Sequence, residues 1–574
     1  MKHNLLKIRD IIFQSARDAD FEINIEDVRI DKTKTIEHGH FACNIAMLLA
    51  GKVGGNPREV AERIISKIDS DVIEKTEVAG PGFINIWVEQ KFYTTECQFV
   101  TQDITKYLEE SFEDIKKGTM VIDTSHPNVA KPMGVHHLLS TVIGDSIKKI
   151  YKRLGYKVVN DNYLGDWGTQ FGKLIYAIRT WGDMNVIEKN PIPELLKLYV
   201  KFHDESEKDS KLDDFGRAEF KKLEDGDKEN KELWKFIVKK SLDEFEKIYS
   251  RLNIKFDVIN GESFYEDKMG EILDYGRKEG IIVDGEGGSW IIMPDEPEDV
   301  PVLVRKSDGA TLYATRDLAR IKYWEKTWHP DLMVNVVDVA QEFYFNQLFF
   351  AESKLKLTNA KNVHVSFGRM QFKDAKMSTR KGNIILLEEV LNESEERAFE
   401  LAKGKGLDLT GDEAKELARI MGIGAIKYNI LSQSRTTNII FDWDKVLSFE
   451  GNSAPYLMYT ITRAKSVMRK SDLDEIDAAD YKFSELSDSE ISVIIQLMTY
   501  PNVVNHSAEE FKPNHIANYL YELAQCFNSF YNSNPIIKAE SEDVRKSRLL
   551  LVASVIKVME DGLALLGIEI PEKM

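Results

Sequence analysis

A chain of 574 residues is too long for one hydrophobic core, which sets the expectation at about two to four domains. A hydrophobic share of 43% with 30% charged residues excludes wholesale disorder, and no apolar run reaches the roughly eighteen residues that a membrane span needs. The net charge of −18 counts against a generally basic nucleic-acid-binding protein while leaving room for a local basic track; the three scattered cysteines (Cys43, Cys97 and Cys526) exclude a disulfide framework or a Cys-x-x-Cys zinc ribbon and suit a reducing cytoplasm.

From the N-terminus, IIFQSARDADFEI and NPREVAERIISKI read as helices, the second with Pro57 where a helix can begin, and INIWV alternates like a half-buried strand. These make an α+β unit over residues 1–112, and SFEDIKKG leads out of it. TMVIDTS is a short apolar strand. After a loop, Val135, Leu138, Leu139, Val142, Ile143, Ile147, Ile150 and Leu154 recur at helical spacing, and Gly155 is a plausible stop. YKVVNDNYL follows as a strand, and the order strand, loop, helix, strand opens a parallel α/β sheet. Residues from about 180 to 250 are charged and helix-prone, which predicts a helical insertion. PVLVR, LMVNVVDV and KNVHVSF return to strand, closing a unit over 113–394. From 395 to 574 the pattern is almost wholly helical, and its greasiest stretch, Leu549–Met559, is broken by Lys557 and reads as a buried helix.

No P-loop occurs, and the glycine clusters at Gly285 and Gly422 lack the strand–helix setting of a dinucleotide loop. Two segments carry more chemistry. SHPNVAKPMGVHHLLST (Ser125–Thr141) lies between a strand and a helix, at the sheet edge where ligands bind, and the helix directs N–H groups toward any anion there. His136 and His137 occupy its first turn, with Lys131 and Asn128 just before. A lone histidine there would be a cap or a packing residue; two, with a lysine and an asparagine, favour a site, and no ligand set accompanies them to hold a metal. KMSTRKG, from Lys376 to Gly382, is a cationic loop after a strand, suited to a polyphosphate, although basic runs are commonly solvated surface.

Together, Gly134-Val135-His136-His137 and Lys376-Met377-Ser378-Thr379-Arg380 resemble the paired HxGH and KMSKS signatures of class I aminoacyl-tRNA synthetases. The resemblance to the arginine-specific branch runs nearly end to end, through GHFACNIAMLLA, EVAGPGFINIWV, NYLGDWGTQFGKL, GESFY, DGATLYATRDLAR, NVVDVAQEFYFNQLFF, SFEGNSAPYLMYTITRA and LLGIEIPEKM. It implies a multidomain α/β protein: an α+β N-terminal domain for the tRNA elbow (1–112), a Rossmann-like catalytic domain (113–394) and an all-α anticodon-binding domain (395–574). The implied activity is ATP-dependent ligation of L-arginine to tRNA(Arg) through an arginyl-adenylate, with Mg²⁺ carried by ATP, no zinc or organic cofactor, no membrane, and a cytoplasmic monomer.

Carried onto this chain, the resemblance makes Lys131, His136, His137, Lys376, Ser378 and Arg380 catalytic, with Gly134 and Met377 joining His136, His137 and Lys376 at ATP. Glu262 and Asp317 would read the guanidinium, since carboxylates accept its paired hydrogen bonds, with Tyr313 four residues before Asp317 on the same helical face. Asn128 and Gln341 would hold the α-amino or α-carboxylate group. Tyr456, Tyr459, Arg463, Phe527 and Tyr531 would meet tRNA, against the plain alternative that aromatics at helical spacing are core.

The first signature departs from the family. Gly134 stands for its first histidine, His136 for its glycine and Leu139 for a frequent arginine, while Tyr344 stands where a histidine often precedes Phe. His136 therefore brings an imidazole to where adenine normally approaches bare backbone, and it either stacks on the base or obstructs it. Loss of a transition-state donor elsewhere costs about 3–4 kcal/mol, which His136 can partly replace. Three rivals follow: a synthetase-like binding protein that does not ligate, a class I ligase for another amino acid, and a nucleotidyltransferase, which leaves the helical third unexplained.

Overall fold

The computed structural model describes residues 4–112, 115, 117–296, 298–373, 385–404, 410–471, 478–483 and 486–574. The N-terminal part is an antiparallel sheet of β1 (Ile30–Lys32), β2 (Phe41–Cys43), β3 (Ile73–Ala79) and β4 (Phe83–Val88), in the order β1-β2-β4-β3. Helices Asn4–Asp18, Ile45–Val53 and Pro57–Ile65 pack with it. The first helix stops short of the predicted FEI because Asp20 takes a left-handed φ of 64° and turns the chain, burying Phe21. Pro57 starts its helix as expected, behind an Asn56 side chain that accepts the Arg58 N–H at 3.0 Å.

The main sheet is parallel. Its strands β5 (Thr119–Asp123), β6 (Lys157–Leu164) and β7 (Val258–Gly261) come first in the chain. A short antiparallel sheet of β8 (Ile282–Asp284), β9 (Trp290–Ile292) and β10 (Val302–Arg305) follows, so PVLVR forms a strand but not one of the main sheet. β11 (Leu332–Asp338) and β12 (Lys361–Phe367) complete the order β12-β11-β5-β6-β7. The chain therefore runs outward from β5 on one side and returns through β11 on the other, which opens a crevice at the C-terminal ends of β5 and β11. Between β6 and β7 the chain is helical, the last and longest helix being Lys228–Arg251.

The predicted helix after β5 is Val135–Arg153, and nearly all of it is buried. Its two sides have different partners: the sheet, through β6 and β11, and the helical part, through helices Gly411–Leu431, Tyr500–Glu509 and Glu542–Leu565. Charges on that second side are accordingly paired: Asp145 meets Lys148 at 2.7 Å and Lys149 at 2.5 Å, and Lys427 donates to the carbonyls of Leu252 (2.5 Å) and Gly567 (2.6 Å). Within Glu542–Leu565, Lys557 is the exposed position among the buried residues Leu549–Met559. Among the described residues, one short strand interrupts the helical part: β14 (Ile439–Phe441) pairs in parallel with β13 (Met370–Phe372), just after β12.

Beneath the crevice lies a buried polar network. Arg320 is ion-paired with Asp123 at the end of β5, donates to Asn335 Oδ1 at 3.0 Å, and lies over the Tyr163 ring at 4.3 Å. Trp324 donates to Asp161 Oδ2 at 3.1 Å. Removing one partner of such a pair leaves an uncompensated charge in low dielectric. Arg320→Ala is expected to destabilise the catalytic part by about 3–5 kcal/mol, seen as an earlier urea transition by tryptophan fluorescence. The double variant Asp123→Asn/Arg320→Met should recover part of that loss.

Candidate active site

The loop from β5 to helix Val135–Arg153 is held in costly backbone. Ser125 (φ 85°), His126 (φ 56°) and Ala130 (φ 65°) all lie in the left-handed region. Neighbours fix them there: the Ser125 N–H donates to Ser140 Oγ (3.0 Å), Ser125 Oγ meets Tyr249 OH (2.8 Å), and the Ala130 N–H donates to Ser241 Oγ (2.9 Å). Asn128 bridges in parallel to Gly165 beyond β6, where a Cβ would stand 2.5 Å from Asn128 Oδ1 and push the amide aside. The result is a cleft of about 570 Å³.

Asn128, His136, His137, Glu262, Tyr313, Asp317 and Gln341, each singled out from sequence, line this one cleft. Asp123, His126, Tyr163, Arg320 and Tyr344 line it too. Of these only Tyr344 stood out in the sequence; the others look like ordinary strand and helix residues, and only tertiary pairing exposes their place.

His137 both caps and faces the cleft. Its Nδ1 accepts the Gly134 N–H at 3.0 Å, satisfying one orphan donor of the helix start. Burial, with the neighbouring His136 and His126 adding to it, drives its pKa down to about 3. The ring is therefore neutral, with its proton on Nε2, a hydrogen-bond donor at the N-terminus of a helix. His136 stands exposed beside it, the two ring centroids 3.9 Å apart and tilted by 43°. Gly134 supplies backbone behind the wall and is not part of the lining. Leu139, where the family often has arginine, is buried in the core.

The opposite wall is anionic. Glu262 opens the turn after β7, and Arg316 Nη1 approaches its Oε2 at 3.4 Å while Nη2 of the same guanidinium pairs with Glu266 at 2.5 Å. Burial lifts the Glu262 pKa to about 7 despite Arg316, and Asp317 adds to the rise. Asp317 receives the Tyr344 hydroxyl on Oδ2; its Oδ1 is buried without a hydrogen bond, the Arg320 Nε lying 3.5 Å away. Tyr313, one helical turn earlier, remains 64% exposed at the rim.

Other expected residues fall elsewhere. Lys131 turns from the cleft and lies over the Tyr199 ring at 4.8 Å, because that aromatic face on the helical insertion offers it a partner. Lys376, Met377, Ser378 and Arg380 lie outside the described residues. The chain just beyond them docks on the first signature, with the Val135 N–H donating to Ile385 O at 3.1 Å and the Leu387 N–H to Met133 O at 2.9 Å. Far from the cleft, Arg463 lies over the Tyr459 ring at 4.7 Å and the Tyr531 ring at 5.0 Å on an exposed face. Tyr456 is half-buried and accepts from Asn528 at 2.9 Å. Phe527 is fully buried, so as placed it is a core residue and not a surface on which a base can stack.

Comparison with known proteins agrees with this architecture. Residues 101–443 match the family described as tRNA synthetases class I (R), catalytic domain, residues 457–574 the DALR anticodon binding domain, and residues 6–88 the arginyl tRNA synthetase N terminal domain. The chain is 42% identical to the arginine–tRNA ligase of Fusobacterium nucleatum, over 96% of each chain. It is 40% identical to that of an Exiguobacterium species, over 96% of this chain and 97% of the relative. Among solved structures, the arginyl-tRNA synthetase of Plasmodium falciparum superposes with a TM-score of 0.83 at 26% identity, and that of Thermus thermophilus at 0.82 and 21%, each over the full length of both chains. Fold, site and relatives agree, and the chain belongs to the arginyl-tRNA synthetases, the arginine-specific class I aminoacyl-tRNA synthetases, which join arginine to tRNA(Arg) at the expense of ATP.

Proposed function

We propose that the cleft performs this ligation with arginine's guanidinium held between Glu262 and Asp317 and its α-amino and α-carboxylate groups near Asn128 and Gln341. The observation that carries the reading is the charge arrangement of the anionic wall. Glu262 and Glu266 share Arg316, and Asp317 and Asp123 share Arg320, so each cluster keeps an excess of negative charge. Asp317 Oδ1, which accepts no hydrogen bond and has only the Arg320 Nε at 3.5 Å, can accept a cationic N–H. A lysine ammonium lacks the planar fork that two carboxylates can share.

In this reading the bound arginine carboxylate attacks the α-phosphorus of ATP, pyrophosphate leaves, and arginyl-adenylate forms. A ribose hydroxyl at the tRNA 3′ end, the 2′-hydroxyl in this class, then attacks the adenylate carbonyl and AMP leaves. The protein's part is position and charge. His137 Nε2–H and the helix N-terminus donate to phosphate oxygens, and Lys376, Ser378 and Arg380 add hydrogen bonds and charge from the other side. Mg²⁺ arrives on the phosphates of ATP and needs no dedicated protein cage. His136 acts as a stacking wall for adenine: it stands against His137 at the margin of the cleft, leaving the cavity open. The exposed Tyr459–Arg463–Tyr531 cluster suits splayed anticodon bases. Buried free thiols at Cys43 and Cys97 suit a reducing cytoplasm, and we take the working unit as a monomer.

Purified protein with Mg-ATP and matched tRNA should charge arginine and not lysine or glutamine. Asp317→Asn should cut kcat/KM for arginine by about 10- to 150-fold, corresponding to 1.5–3 kcal/mol for a hydrogen bond to a charged group. Charging of lysine or glutamine by the parent protein would overturn the assignment of the anionic wall.

Glu262 also sets a pH dependence. Its pKa in the free site is near 7, and only its ionised form attracts the guanidinium. The KM for arginine should therefore fall as pH rises from 6 to about 7.5 and then level off, and Glu262→Gln should flatten the profile while raising KM throughout. For His136, the stacking role predicts that His136→Gly raises the KM for ATP in pyrophosphate exchange; a lower KM would mean that the imidazole obstructs the base.

A further inference from the structure

Away from the cleft, ligand atoms converge at the turn joining helices Tyr500–Glu509 and Asn514–Ser533. His506 and Glu510 are four residues apart and share a face, and His515 returns from the start of the next helix. His506 Nε2 lies 3.5 Å from Glu510 Oε1, and His515 Nε2 lies 3.1 Å from Glu510 Oε2. The two imidazole centroids are 4.6 Å apart. A tetrahedral ion bound at about 2.0–2.1 Å sets its donors about 3.3 Å apart, and one ligand atom from each of the three residues already lies within 4.8 Å of the others, so small side-chain adjustments close the set. On the other side of the His506 ring, Nδ1 faces Glu509 Oε2 at 3.8 Å, the outer carboxylate that commonly orients a ligating imidazole.

The turn carrying these groups is fixed before any ion arrives. Phe511 takes a left-handed φ of 53° and stacks on Tyr151 of helix Val135–Arg153, with centroids 5.6 Å apart and planes at 20°. Its carbonyl accepts from Arg435 Nε at 3.0 Å, and Ser507 Oγ donates to Lys512 O at 2.7 Å. Preformed geometry removes much of the ordering cost that a flexible site would meet on binding.

We propose that His506, Glu510 and His515 bind one divalent first-row transition-metal ion, Zn²⁺ by preference, which clasps the turn where the helical part docks on the catalytic helix. Two imidazoles and a carboxylate are an established zinc donor set that leaves a fourth position for water, and His506 is exposed. Lys512 Nζ, 2.6 Å from Glu510 Oε2, is the competing cation, and the ion must displace its ammonium. Its long, partly exposed stem permits that move.

The test uses the full-length protein, stripped with chelator and titrated with Co²⁺ and then Zn²⁺. The expected result is one equivalent of Co²⁺ with visible d–d bands, displaced by Zn²⁺. His506→Ala/His515→Ala should abolish both while leaving the fold, followed by circular dichroism, unchanged. Glu509→Gln should weaken binding by about 10-fold, and Lys512→Ala should tighten it. Failure of the parent protein to bind one equivalent, or equal binding by the double variant, would overturn the site. The Lys512 variant separates the site from adventitious histidine binding, since only a site built on Glu510 gains from losing that lysine.

Discussion

The cleft depends first on a guanidinium that the protein supplies itself. Arg320 is only 2% exposed, so Asp123, Asn335 and the Tyr163 face must all be in place around it. Those partners come from β5, β11 and β6, which ties the three central strands to one charged group from the side. The same arginine lies beside Asp317, and Tyr344 takes the other oxygen of that carboxylate. A group that stabilises the sheet thus also sets how much negative charge the pocket has left for a ligand.

Much of this was legible from the order of residues alone. Periodicity located β5, the Val135–Arg153 helix, β6, β11 and β12, because apolar runs of those lengths have few other uses. It placed PVLVR in a strand without assigning its sheet, since pairing is a tertiary choice and a four-residue apolar strand serves either. Asn128, Glu262, Asp317 and Gln341 were reached through long family strings, and they fall in one cleft although they stand far apart in the chain. Arg320 and Asp123 could not be found that way: each looks like a solvated charge on its own element. Lys131 went astray for the opposite reason, because proximity to the signature in sequence does not decide which way a flexible side chain turns. The His506–Glu510–His515 cluster carries no familiar spacing, and folding alone brings it together.

The altered first signature has a physical reading. A histidine that accepts a backbone N–H from the residue beginning its own helix is locked in tautomer and orientation. His137 therefore needs no second histidine to position it, and Gly134 serves as the donor through its backbone, which any residue but proline could provide. The imidazole of His136 changes the shape of the wall, not the helix start behind it.

The strand pair β13–β14 gives the cationic motif a divided foundation. Before residues 374–384, the Lys373 N–H donates to Phe441 O at 3.0 Å and its ammonium pairs with Asp442 at 2.7 Å, so that end is moored to the helical part. After them, the Ile385 carbonyl is moored to the signature helix. The two described ends of that stretch thus rest on separate supports, β14 and the start of helix Val135–Arg153, so a substitution that loosens either support reaches the motif through the main chain.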